Sequence, residues 1–116
     1  MPRATTADDL LTIPLPCRPD GLWPAELAPT GALLVAALHV EVARQLGEGP
    51  RDYGVKSAVA ARLGSTPQQW GEYLHGVEPS LAVLSRLASS AGLRFTIEAE
   101  GVRVEAAGPA AAGAAS

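Results

Sequence analysis

At 116 residues the chain has room for one domain and trailing ends, and its 47% hydrophobic content suffices for a core. A net charge of −3 argues against a general nucleic-acid binder. The longest apolar run, GALLVAALHV, falls short of the roughly 18–20 residues that span a bilayer, and a single cysteine, Cys17, excludes an internal disulfide or a cysteine metal cluster.

Residues 1–29 read as a proline-rich arm, because Pro2, Pro14, Pro16, Pro19, Pro24 and Pro29 forbid a long helix. The start, MPRATTADDL, has no basic region leading into an apolar stretch, so no secretion signal is expected and residence is expected to be cytoplasmic. LLTIPLP suits a short extended segment packing on the domain or on a partner, and Trp23 is placed to anchor the arm. From Thr30 to Leu46 the residues Leu34, Leu38, Val42 and Leu46 fall four apart with Ala37 beside them, which predicts an amphipathic helix stopped by Gly47, Gly49 and Pro50.

The next stretch, KSAVAARLGSTPQQWGEYLHG, reads as two short helices joined by a tight glycine turn. Val59, Ala60 and Leu63 mark the buried face of the first, and Gly64 breaks it. Ser65-Thr66-Pro67 restarts a helix with a hydroxyl at the cap and proline at the first helical position. Trp70, Tyr73 and Leu74 supply the buried stripe of the second. Thr66, Gln68, Gln69 and Glu72 then face outward, with His75 at the end. Ser80 is expected to cap a further helix through Ala91, with Leu81, Leu84, Leu87 and Ala88 inward, ended by Gly92. LRFTIEAEGVRVEA changes to a period of two around a Glu100-Gly101 turn and predicts a hairpin over 94–106, which requires a helix or a partner to cover it. The alternative is that its first strand pairs with another chain. Residues 107–116, Ala and Gly without large side chains, are expected to be disordered.

The ordered set Ala60, Gly64, Trp70, Tyr73 and Gly76, with helices on both sides, resembles the helix-turn-helix family of phage repressors and Cro, the XRE family, over roughly Thr30 to Leu93. The resemblance implies a mainly α fold: a compact four-helix helix-turn-helix domain over 30–93, with the C-terminal β-hairpin as a possible dimerisation element and the proline-rich arm ahead of it. It also implies that the second motif helix enters a major groove of double-stranded DNA. With few phosphate contacts available, a weakly binding monomer is expected to need two half-sites, so the protein is expected to act as a homodimer. Gln68 and Gln69, with Glu72 and Thr66, carry the chemistry for base edges, since glutamine pairs with adenine in two places and glutamate accepts from cytosine. Lys56, at the start of the first motif helix, is the main phosphate contact, with Arg51, Arg62 and His75 adding charge. The chain departs from the family pattern at two places: Pro67 has no donor where a base reader is usual, and Val77-Glu78 replace basic residues after Gly76.

Charge is uneven. Residues 51–93 hold four basic side chains against three acidic, whereas residues 1–50 hold three against six. Gln68, Gln69 and Glu72 also read as an ordinary solvated face, and Lys56, Arg51 and Arg62 as ordinary surface charges. His39 and His75 are too poorly accompanied for a metal and are expected to face solvent or to cap. Cys17 has no nearby base, and neither a phosphate-cradling loop nor a nucleophile elbow is present, so no enzyme and no cofactor is expected. The competing function is a protein-interaction module, or an antitoxin-like protein whose arm or hairpin occupies a partner. Arginine outnumbers lysine eight to one, which suits a GC-rich, bacterial coding sequence.

Overall fold

The computed structural model describes residues 6–11, 21–27, 30–49 and 52–107. Arg51, Cys17 and the tail from residue 108 onward, all singled out above, lie outside the described residues. In chain order the elements are α1 (Ala7–Leu10), β1 (Trp23–Pro24), a 3-10 turn (Ala25–Leu27), α2 (Thr30–Gln45), α3 (Val55–Leu63), α4 (Pro67–Leu74), α5 (Leu81–Ser90), β2 (Leu93–Glu98) and β3 (Gly101–Ala106). Among the described residues this is a mixed α/β domain with five α-helices and one antiparallel sheet of order β1-β3-β2. The mainly α expectation of four helices with a hairpin lacked α1 and the third strand.

Helix α2 is the centre of the molecule. Leu33, Leu34, Val35, Ala36, Ala37, Leu38, Val42 and Ala43 are all buried, so it is covered on nearly every side and not along one stripe. Helices α1, α3, α4 and α5 and strand β3 all pack on it. Leu46, expected to continue the inward row, is instead exposed in the turn beyond the helix end. The chain reverses there as the Glu48 amide bonds back to the carbonyl of Ala43 at 2.9 Å.

The described parts of the proline-rich arm, residues 6–11 and 21–27, join this core. Thr6 and Asp9 form a reciprocal capping box, Asp9 N–H donating to Thr6 Oγ1 at 3.2 Å and Thr6 N–H to Asp9 Oδ2 at 3.1 Å, so four residues suffice for a turn of helix. Ala7, Leu10 and Leu11 are buried by it. Trp23 is buried as well and pairs with Val102. This third strand depends on Gly101: a Cβ there would collide with the Trp23 carbonyl and lie 3.1 Å from Pro24 Cα. The hairpin turn is Ala99-Glu100, one residue earlier than expected, with Glu98 opposite Gly101. Its apolar face is covered from within at Leu93 and Val102, where α5 packs on β2 and α2 on β3, while Ile97 stays half exposed.

Helix α5 starts at Ser80, whose Oγ accepts from Val83 N–H at 3.2 Å, and buries Leu84, Leu87 and Ala88. Leu81, expected inward, is half exposed in its first turn. Among the described residues no helix is long and apolar enough to cross a membrane.

Candidate nucleic-acid interface

Helix α3 ends on Gly64, whose left-handed backbone (φ 75°) lets the Ser65 amide return to the Ala60 carbonyl at 2.8 Å. Ala60 is fully buried beneath this turn. Two residues later Thr66 caps α4, its Oγ1 accepting from Gln69 N–H at 3.1 Å, and Pro67 takes the first turn, where no N–H is needed. This short connection fixes where α4 points.

What holds α4 rotationally is a buried polar pair. Trp70 Nε1–H donates to His39 Nδ1 at 2.9 Å, the two rings lie nearly parallel at 18°, and both residues are 0% exposed. The acceptor role requires Nδ1 to be unprotonated. His39, expected at the surface or at a cap, is therefore a core residue: the indole N–H cannot be buried without an acceptor, and His39 supplies it from the central helix. Tyr73 packs edge-on against Trp70, with ring centroids 6.1 Å apart. Leu74 completes the inner face.

The outer face of α4 carries Gln68 and Glu72, both exposed, with Gln69 half-buried between them. Gln69 Nε2 lies 3.4 Å from Glu72 Oε1, so these two amide and carboxylate groups lean on each other, whereas Gln68 extends from the first turn into solvent. The Thr66 oxygen is engaged as a cap, leaving its hydroxyl hydrogen for an outside acceptor. His75 stands exposed at the C-terminal end of the helix.

Among the described residues, the two basic side chains expected to contact phosphate, Lys56 and Arg62, stand at opposite ends of α3 with different partners. Lys56, in the first turn of α3, lies with Nζ 3.7 Å from Asp8 Oδ1 on α1. Arg62 is at the other end of α3, about 9 Å further along the axis. Its guanidinium donates to the carbonyls of Ser90 and Ala91 at 3.3 and 3.4 Å, where a cation complements the C-terminus of α5. Glu78, the acidic replacement in the loop after α4, sits over Gly31 in the first turn of α2, a turn with no acidic residue of its own. A side chain at residue 31 would displace its carboxylate.

Two neighbours of Lys56 escaped the sequence reading. Asp8 is one. Tyr53 is the other: it is fully exposed just before Gly54, which starts α3 without a side-chain cap. Its place beside the helix-opening Gly54-Val55-Lys56 was the available signal, since tyrosine hydroxyls and helix N-termini are common phosphate donors. Tyr53, Asp52, Lys56 and Asp8 line a cleft of about 550 Å³ between α1 and the start of α3. Among the described residues no group of three or more His, Cys, Asp or Glu is arranged to hold a metal ion. Comparison with family models, curated proteins and solved structures gives no match to this chain.

Proposed function

We propose that the protein is a sequence-specific DNA-binding transcriptional regulator of the XRE type, acting as a homodimer, with α3, the Gly64 turn and α4 as its helix-turn-helix unit. The observation that carries this reading is the division of α4. Its inner side is clamped by the Trp70–His39 bond, while Gln68 and Glu72 project from its first two turns. A helix fixed in this way can present the same side chains to every duplex it meets, which base reading demands. Gln68 is the leading base reader, followed by Gln69, Glu72 and the Thr66 hydroxyl. Lys56, Tyr53 and the uncapped amides at the start of α3 form the phosphate contact. Arg62, occupied on α5, becomes a positioning residue in this reading.

A second reading is favoured by one specific observation: Lys56 faces Asp8, and Arg62 is spent on backbone carbonyls. A duplex must compete for the first and gains little from the second. A protein-interaction module, or an antitoxin-like protein that holds its partner elsewhere, fits that economy of free positive charge.

Titrating salt against binding to random duplex separates the two. A regulator gives a linear fall of log affinity with log salt, about 0.9 per phosphate engaged. Gln68→Ala then narrows the gap between preferred and random sequences by about 1–3 kcal/mol per base pair read, and Lys56→Ala weakens every sequence equally. Absence of measurable binding at about 50 mM salt, where phosphate contacts are strongest, rejects the regulator and leaves the interaction module.

A further inference from the structure

Strand β2 lies at the edge of the sheet, and no described residue pairs with its outer side. Its pairing phase is set at the base of the hairpin, where Ala107 N–H donates to Gly92 C=O at 2.9 Å. In an antiparallel ladder hydrogen-bonded positions alternate with non-bonded ones. The register of β2 with β3 therefore directs the amides and carbonyls of Arg94, Thr96 and Glu98 toward β3. Those of Leu93, Phe95 and Ile97 point away from the sheet. An edge of this kind is a template for another strand.

The side chains of β2 say which strand. Arg94 and Glu98, of opposite charge, stand two places either side of Thr96, and Phe95 and Ile97 stand one place either side. Running the same strand antiparallel about a two-fold axis at Thr96 sets Arg94 opposite Glu98 of the second copy, Phe95 opposite its Ile97, and Thr96 opposite itself. Phe95 and Ile97 are the residues whose backbone groups face outward, so each such pair exchanges two backbone hydrogen bonds. The charged pairs then fall at non-bonded positions, where side chains approach most closely. Sliding the register by two residues in either direction leaves Arg94 or Glu98 against Thr96, and sliding by four sets like charge against like.

Both faces of the strand fit the pairing. Ile97 is 51% exposed on the side where Leu93 and Val102 are buried, and it would gain Phe95 of the second copy as a neighbour. On the other side Arg94 already bonds Glu105 at 3.4 Å, and Glu98 accepts from Arg103 at 2.9 Å. Joining two copies extends these into an alternating row of Glu105, Arg94, then Glu98 and Arg103 of the second copy. We infer that β2 is a self-complementary edge through which two copies of this chain join their sheets into one of six strands. This deepens the homodimer in the proposed function and rests on that part of the reading, not on the duplex.

The test uses the full chain without DNA, so its failure is distinguishable from failure to bind a duplex. Sedimentation is expected to give twice the 11.9 kDa chain mass. Arg94→Glu and Glu98→Arg should each lose the dimer, because each sets like charges against one another at both symmetry-related positions. An equimolar mixture of the two variants should recover it, since one copy then supplies two glutamates and the other two arginines. Thr96→Cys in a Cys17→Ser background keeps the native charges and guards against a reversal that fails to fold. It should cross-link with itself on mild oxidation much faster than Arg94→Cys in the same background. A full chain that remains monomeric at every concentration, a dimer indifferent to both reversals, a mixture of folded variants that fails to associate, or equal cross-linking at residues 94 and 96 would each overturn the assignment.

Discussion

The two faces of α4 are built to opposite rules. On the inner face Trp70 is wholly buried, its one polar atom is bonded to His39, and Tyr73 and Leu74 close around it. On the outer face Gln68 and Glu72 are exposed, and the side-chain contact between Gln69 and Glu72 is long at 3.4 Å. The inner face spends its chemistry on holding one orientation, and the outer face keeps its donors and acceptors available. A helix of eight residues cannot secure itself in water. Its orientation is borrowed from α2, and any property of the outer face depends on the inner one.

The sharpest way to break the contrast is to empty the inner face. Trp70→Ala removes the largest fully buried side chain and should cost about 3–5 kcal/mol in denaturant unfolding, with the loss felt across the whole domain. A cost below about 1 kcal/mol, the range of surface changes, would mean that α4 is not anchored through this residue. The polar bond is separable from the bulk. His39→Leu leaves the buried indole N–H without its acceptor and should cost about 1–3 kcal/mol. Combined with Trp70→Phe, which removes that N–H, the loss should be smaller than the sum of the single losses. Simple additivity would show that the 2.9 Å contact contributes nothing of its own.

This pair also marks the limit of what could be read from the chain. The boundaries of α3, α4 and α5 were legible because glycine, serine, threonine and proline act locally: Gly64, Thr66-Pro67 and Ser80 each do in the structure what their own backbone chemistry favours. Trp70 was legible as a core residue by its spacing, but its partner lies 31 positions away, and periodicity carries no information about who meets whom. The chemistry alone hints at the pairing: a buried tryptophan needs an acceptor, and His39 is the polar interruption in an otherwise apolar run. Helix α2 was misjudged for a related reason. Its row of Leu34, Leu38 and Val42 looked like a stripe, whereas Leu33, Val35 and Ala36 are equally buried, because four helices, strand β3 and the 3-10 turn surround it. Strand β1 has two residues, one of them a proline, and exists through the close approach that Gly101 permits, so no local pattern announced it. On the outer face, Gln68 and Glu72 stand where the spacing put them. The partners of Lys56 and Arg62 came from α1 and α5, which only the tertiary arrangement brings near.

Those two basic residues extend the contrast to the ends of α3 and give its smallest expected effect. Arg62 donates to two carbonyls at the C-terminus of α5, so Arg62→Ala should lower stability by about 0.3–1 kcal/mol, and the loss should shrink as salt screens the helix terminus. Lys56 meets Asp8 at 3.7 Å with both side chains nearly half exposed, a geometry that in water contributes close to nothing. Lys56→Ala should therefore leave unfolding unchanged within about 0.5 kcal/mol. The comparison is made by unfolding both variants at low and high salt. If Lys56→Ala proved the more destabilising, the start of α3 would be a structural joint, held shut by α1, and its lysine could not be released to a phosphate without loosening the fold. If Arg62→Ala is the costlier, as the bonding predicts, α3 has one end committed to the scaffold and one end left for a ligand.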